Sequence, residues 1–246
     1  MKKKITTLMM LVGVFAINAQ FIQTRLLEVT PGNMDKFVSA ASKKTKMYNS
    51  QPDQPRYLTF EILSGQYANN FVRVQYADSL AAFDSVDTVG NAYWQKTTGN
   101  LHTSTGNRMW GLVKSATHAP ENADYEDLRR VIYYNFSDEG SDDFWRFRER
   151  VKKAMEASGY NHRMGVWWCA SGCDGNVVMV RFHHKDFAGQ AEDYGQPLAD
   201  MIAKYEEMYG EGSYEQDGDK VDASLLENGK KIRHFRFRPE MSSPRN

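Results

Sequence analysis

The residues with chemical potential sit on short alternating runs and follow no motif of known spacing. Arg73 and Arg181 are guanidinium groups set inside the otherwise apolar segments FVRVQY and VVMVRFHH. Either could clamp a carboxylate through two parallel hydrogen bonds. His183 follows Arg181 by two residues and is the candidate catalytic acid or base. His183 and His184 are adjacent, so on a strand they point to opposite faces and cannot share one metal ion; no metal site is expected. In the run Lys230, Lys231, Arg233, His234, Arg236, Arg238, the last three basic residues alternate with Phe235 and Phe237. Such a ladder either guards an edge strand or faces a pocket and favours an anion. The acidic stretch EQDGDKVD, Glu215 to Asp222, lacks the spacing and closing glutamate of a calcium loop and reads as solvated charge. No phosphate loop, dinucleotide fingerprint, H-E-x-x-H or G-x-S-x-G occurs, and no cofactor is expected.

The first nineteen residues read as a signal peptide, with Lys2, Lys3 and Lys4 ahead of an apolar run from Ile5 to Ile17 and a small residue at Ala19. Cleavage before Gln20 would export the chain to the periplasm or the medium. The apolar run is shorter than the ~18 residues that span a bilayer, and no later segment is apolar enough to do so. Without the three signal lysines, 28 basic residues face 31 acidic ones, which argues against a broad nucleic-acid surface. Cys169 and Cys173, with three residues between them in one hairpin, are expected to form a disulfide in an oxidising compartment.

The elements that must position these residues come in two matching sets. Strand Gln20–Val29, a helix from Met34 to about Tyr48, and strands Tyr57–Leu63 and Phe71–Tyr76 open the chain, the last two joined by the turn Ser64–Asn70. Asp78 or Ser79 would cap a helix bearing Leu80, Phe83 and Val86, followed by a helical piece over 91–101 and a strand Arg108–Lys114. Residues 116–128 read as a linker. Strand Arg129–Phe136, a helix after Ser141, the hairpin strands Met164–Ala170 and Asn176–His183, a helix Pro197–Met208 and a strand Lys231–Arg238 repeat the order. The stretch 210–229 reads as an acidic loop with a short helix at 223–227, and 239–246 as a disordered tail. Tyr57–Asp84 also matches Met164–Glu192 in sequence, with Ser64-Gly65 on Ser171-Gly172 and Phe71-Val72 on Val177-Val178.

This order, βαββαβ over 20–115 and again over 129–238, resembles the dimeric α/β-barrel superfamily, which includes antibiotic-biosynthesis monooxygenases, EthD-like proteins, haem-degrading monooxygenases and NIPSNAP proteins. The resemblance implies an α+β fold of two tandem ferredoxin-like repeats packed sheet to sheet as an intramolecular dimer, a monomeric pseudo-dimer or a higher homo-oligomer of it. It also implies either a cofactor-independent oxygenase or isomerase acting on a small aromatic substrate, or binding without turnover. The Asn, Trp and His set of the haem-degrading branch has no position-by-position match.

Alternation sorts the hairpin residues into two faces. Leu58, Phe60, Ile62, Val72, Val74 and Tyr76, with Trp167, Val178, Val180 and Phe182, are expected under the helices. Tyr57, Thr59, Glu61, Arg73 and Gln75, with Val166, Trp168, Met179, Arg181 and His183, are expected between the sheets. Two readings stay open for the charges there. Glu61 could pair with Arg73 across the hairpin while Arg181 and His183 reach water, or the set could line an amphipathic pocket. The second reading makes Tyr57, Glu61, Arg73, Gln75, Trp168, Met179, Arg181, His183 and His234 the binding residues for a small anionic ligand.

Overall fold

The computed structural model describes residues 20–121, 123 and 126–245, so the signal-peptide segment and Asn246 lie outside it. The first half comprises strand β1 (Phe21–Val29), helix α1 (Met34–Tyr48), strands β2 (Arg56–Ile62) and β3 (Phe71–Ala77), helix α2 (Thr88–Thr98) and strand β4 (His102–Leu112). The second half comprises β5 (Leu128–Phe136), α3 (Ser141–Ser158), β6 (Met164–Ser171), β7 (Asn176–His184), α4 (Phe187–Asp193), α5 (Gln196–Tyr209), α6 (Ser213–Ser224) and β8 (Leu225–Phe237). The strands close into one antiparallel barrel in the order β1-β3-β2-β8-β5-β7-β6-β4. Both halves therefore carry the same internal order, β4-β1-β3-β2 and β8-β5-β7-β6, joined at a β2–β8 seam and a β4–β6 seam.

The helices pack on the outside of this barrel, so the central strands β1, β2, β3, β5 and β7 are buried or half-buried on both faces, while β4 and β8 are exposed over much of their length. One apolar layer fills the lumen, with Ile22, Phe60, Val74, Trp110, Val131, Trp167, Met179 and Phe235 among its members. A second layer lies under α1 and α2, around Leu27, Phe37, Phe71 and Trp94. A third lies under α3 and α5, where Phe144 stacks on Phe136 at 4.3 Å and Val166, Val178 and Val180 are buried.

Several local expectations change. The residues expected to cap a helix at 78–79 lead only into a short 3₁₀ turn, Leu80–Asp84, and Val86 is exposed; α2 starts later, where Asp87 accepts from the Gly90 amide at 2.8 Å. The acidic stretch 215–222 is helical, not loop, because Asp217 is buried and holds Arg150 at 2.7 Å and the Tyr205 hydroxyl at 2.6 Å. Residues 239–245 are not a disordered tail. Met241 is fully buried in the layer under α1, and the Ser242 and Ser243 hydroxyls accept from the Thr59 and Tyr57 amides, each at 2.9 Å. Those amides lie on β2 beyond its three register pairs with β8, so serine hydroxyls satisfy donors that no strand reaches.

Candidate functional site

The barrel lumen gathers cations that no carboxylate answers. A cavity of about 560 Å³ at one mouth is lined by Arg108, Lys231, Arg233, Tyr67, Tyr133 and Cys173, among others. A narrower space behind it is lined by Phe60, Arg129, Met179 and Arg181. Thr24, Val72, Tyr133 and Phe235 belong to both walls. Among the described residues, Arg108, Arg181, Lys231 and Arg233 make no ion pair, and the two acids at the mouth, Asp174 and Glu227, are exposed.

The deeper groups are tightly placed. The Arg181 guanidinium lies 4.8 Å from the Trp167 ring centroid, and the buried Nε of Arg181 and Nε1 of Trp167 make no hydrogen bond to protein. Gly165 makes room for them, since a Cβ there would stand 3.0 Å from the indole nitrogen. Tyr133 lines both spaces, with Arg108 and Arg233 in the wall of one and Arg181 in the wall of the other; burial raises its phenol, opposed by the positive field of those three cations. Burial and then Arg181 pull Arg129 down to about 9, and its Nη1 donates to the carbonyls of Glu126 and Leu128. At the mouth, Arg233 packs on Gly65, whose φ of 87° and missing Cβ allow the contact.

The structure separates the residues that alternation grouped. Met179 and Arg181 do face the lumen. His183 shares the Arg181 face of β7 but lines neither cavity. Burial first, then Arg129, Arg181 and Arg163, hold it well below the usual histidine range, and its Nδ1 makes no hydrogen bond to protein. Tyr57, Thr59, Glu61, Arg73 and Gln75 lie on the helix side instead, while Leu58, Phe60, Ile62, Val72, Val74 and Tyr76 line the lumen. Glu61 pairs with Arg238 at 3.0 Å, not with Arg73. In β6 the faces are likewise exchanged: Trp167 is in the lumen, Val166 is under the helices, and Trp168 is 44% exposed against Gly111. His234 leaves the lumen altogether, meeting Gln190 of α4 at 3.0 Å and the Phe187 ring.

The error has a register cause. Gly65 and Gly172 both take positive φ, 87° and 83°, and the two turns match without a gap, which sets Phe71 on Val178 and not on Val177. A slip of one residue transfers every side chain to the other face. In the correct register Arg73 stands where the second half has Val180, and Arg181 where the first has Val74. Lys231 and Arg233 share parity with Phe235 and Phe237, which was the available signal that they, not His234 and Arg236, would face inward. Arg108 and Tyr133 carried no such signal.

Cys169 and Cys173 are bridged, with Cα atoms 6.3 Å apart, and the bridge packs beside the lumen layer with Cys173 at the mouth. A second polar cluster went unforeseen. His162 contacts Glu126 through Nδ1 and Asp193 through Nε2, both at 2.8 Å, and Asp193 also holds His184 at 2.5 Å. It ties the linker, β7 and α4 together away from both cavities. Among the described residues no group of three His, Cys, Asp or Glu side chains is arranged to hold a metal ion, and no helix is long and apolar enough to cross a membrane.

With this geometry in hand, comparison gives the fold. No family model matches the sequence, and no curated protein matches it. Solved structures do match over nearly the whole chain. A monooxygenase-like protein of Lactobacillus acidophilus aligns with TM-score 0.60 at 8% identity, covering 88% of this chain and 93% of that one. Chlorite dismutase of Candidatus Nitrospira defluvii aligns with TM-score 0.52 at 8% identity, covering 91% and 93%. A heme-binding protein of Thermus thermophilus aligns with TM-score 0.50 at 9% identity, covering 90% and 92%. Such neighbours are dimeric α/β-barrel proteins, and the chain shares their fold. At these identities the likeness extends to the fold alone.

Proposed function

We propose that the protein binds a small amphipathic anion in the lumen of its barrel, entering at the mouth lined by Arg108, Lys231 and Arg233. The supporting observation is that Arg108, Arg181 and Arg233 line two adjoining spaces that share Tyr133, with no ion pair for any of the three among the described residues. All three are half-buried, so they keep part of their hydration, and a bound anion would supply the counter-charge that the surrounding residues do not. The apolar part of the ligand would rest on Phe60, Val72, Met179 and Phe235. The Arg181 Nε and Trp167 Nε1 donors would meet acceptor oxygens. The sequence-derived set is thereby narrowed to Met179 and Arg181.

The test is thermal shift with anionic aromatics such as naphthalene-2-sulfonate, comparing the parent with Arg181→Met and Arg233→Met. Because methionine replaces an unpaired charge, Arg181→Met should be as stable as the parent or more so without ligand, yet lose at least tenfold in affinity. Equal ligand shifts in all three proteins would sink the lumen assignment.

The alternative is turnover by an oxygenase or isomerase with His183 as base. In its favour, His183 shares the Arg181 face of β7 two residues away; against it, burial and the nearby cations lower its pKa, which weakens it as a base, and it lines neither cavity. Full turnover in His183→Ala would remove it from any mechanism. Haem, which the Thermus neighbour's description names, does not suit these residues. None of the six histidines lines the mouth or the lumen space, so neither offers an imidazole ligand.

The reading extends to the whole chain. The matching strand orders support a tandem duplication of a ferredoxin-like βαββαβ unit that forms its own pseudo-dimer, and the disulfide is compatible with export after cleavage before Gln20. Proteolysis in the linker should leave the halves associated, because the β2–β8 and β4–β6 seams do not depend on it; separation into folded halves would refute the pseudo-dimer.

A further inference from the structure

The layer between the first-half sheet and helices α1 and α2 contains a second concentration of buried cations. Arg73 is 1% exposed, and Lys44 is equally hidden. With Arg25 they crowd two aromatic rings: the guanidinium carbons of Arg25 and Arg73 lie 5.9 and 4.7 Å from the Tyr57 centroid and 5.6 and 4.8 Å from that of Trp94, and Lys44 Nζ lies 5.1 Å from Tyr57. Among the described residues the one carboxylate in contact is Asp87, 3.8 Å from Lys44 and already capping α2. Burial, then Arg25, pulls Arg73 down to about 9, and burial, then Arg73, pulls Lys44 down to about 8.

What faces Arg73 is a neutral oxygen. Arg73 Nη1 donates to the Met241 carbonyl at 3.0 Å and to Thr59 Oγ1 at 2.9 Å, while Nη2 donates to Thr45 Oγ1 at 3.1 Å. The same carbonyl accepts from Thr59 at 2.9 Å and Thr45 at 3.3 Å, so three donors converge on one peptide oxygen. The Met241 side chain meanwhile fills the apolar space among Leu27, Phe37, Phe71 and Trp94. A polar head held by Arg73 and the two threonines, with an apolar tail beside the aromatics, has the layout of an amphiphile, and here the chain itself supplies both parts. The segment is held to β2 by the two serine hydroxyl contacts and by the Ser243 amide on the Tyr57 carbonyl at 2.7 Å.

We propose that this layer is an occluded binding site for a monoanionic amphiphile, a carboxylate with a short alkyl or arylalkyl tail, and that residues 239–245 are a strap occupying it. A carboxylate offers two charged acceptors where the Met241 carbonyl offers one neutral one, so it would displace the strap in exchange for charge-assisted bonds. The strap lowers apparent affinity by the fraction of time it is closed. This site lies on the helix side of the sheet, apart from the lumen, and Arg25 is the one of its cations that also lines the mouth cavity.

The experiment is hydrogen–deuterium exchange on the full chain with and without decanoate, followed over 239–245 and the β2 amides. Decanoate should raise exchange across 239–245 in the parent and in Arg181→Met, and leave it unchanged in Arg73→Met. Met241→Ala, which shortens the plug within the intact chain, should bind decanoate about tenfold tighter than the parent. If Arg73→Met does not fold, Lys44→Met replaces it with the same expectation. Strap exchange that is unchanged or slowed by saturating decanoate, or raised equally when Arg73 is methionine, overturns the proposal. Tighter binding lost with Arg181 but kept with Arg73 would overturn it in favour of the lumen.

Discussion

The layer under α1 and α2 and the layer under α3 and α5 occupy equivalent places, yet they are built from opposite materials. In matching register, Arg25, Tyr57, Thr59 and Arg73 stand where the second half has Ile132, Met164, Val166 and Val180. The Arg25–Arg73 pair across β1 and β3 corresponds to the Ile132–Val180 pair across β5 and β7. One half shows that this position needs nothing more than aliphatic packing. The other half carries guanidinium groups there, and they survive burial because threonine hydroxyls, the Met241 carbonyl and two aromatic faces surround them. What distinguishes the two is the set of acceptors brought by α1 and by residues 239–245. The strand pairing is the same.

Moving the charge across should have the largest effect. Val180→Arg would put a guanidinium among Phe144, Val151 and Met164 with no comparable acceptors and should destabilise by about 3 to 5 kcal/mol, read as the unfolding midpoint in urea. A loss under 1 kcal/mol would mean that acceptors do not explain the asymmetry. Next comes the pH dependence of the cationic layer. Burial lowers Lys44 from 10.5 to about 8. Between those values the unfolded chain holds a proton that the folded chain has released, so stability should rise with pH from about 8 to 10.5, by of the order of 1 to 3 kcal/mol. Below about 8 both states are protonated and this contribution is flat. Lys44→Met should remove the part of the rise between about 8 and 9, below the values of Arg73 and Arg129, and an unchanged profile there would assign it elsewhere.

Smaller again is the disulfide. Cys169 and Cys173 enclose a short loop, so the double serine variant should lose no more than about 2 kcal/mol on denaturation. A larger loss would show that the bridge holds the mouth in shape beyond closing a loop. The smallest expected change is Arg73→Met, within about 1 kcal/mol of the parent, because the Met241 carbonyl keeps its threonine donors and a buried charge is removed. Set beside Val180→Arg, this asks whether the first-half arginine contributes to folding at all.

Much of this was legible in the sequence, for particular reasons. The pairing of Ser64-Gly65 with Ser171-Gly172 revealed equivalent turns, since both glycines adopt a conformation that side chains disfavour. Met179 and Arg181 were assigned to the interior correctly. Arg73 and Tyr57 lie on the side opposite to the expected one, and Val166 and Trp167 are exchanged, because the hairpin strands carry buried or half-buried residues on both faces. Alternation then separates two sets without saying which one meets the helices. The residues 239–245 read as a tail because proline, serine and charge dominate them, and nothing local announces that Met241 will fill a gap left by α1 and α2.

Sequence alone determined the βαββαβ order of each half and the alternation of its strands, because these depend on neighbours within a few positions along the chain, but it missed helix α6, which its buried Asp217 ties to α3 and α5. Tertiary structure decided which cations meet. Arg108, Arg181 and Arg233 come from three different strands, and they line adjoining spaces with Tyr133 only because closure of the barrel brings β4, β7 and β8 around one lumen with β5. The same closure leaves β2 with only three register pairs to β8, and it is the unpaired amides of Tyr57 and Thr59 that recruit the strap over Arg73.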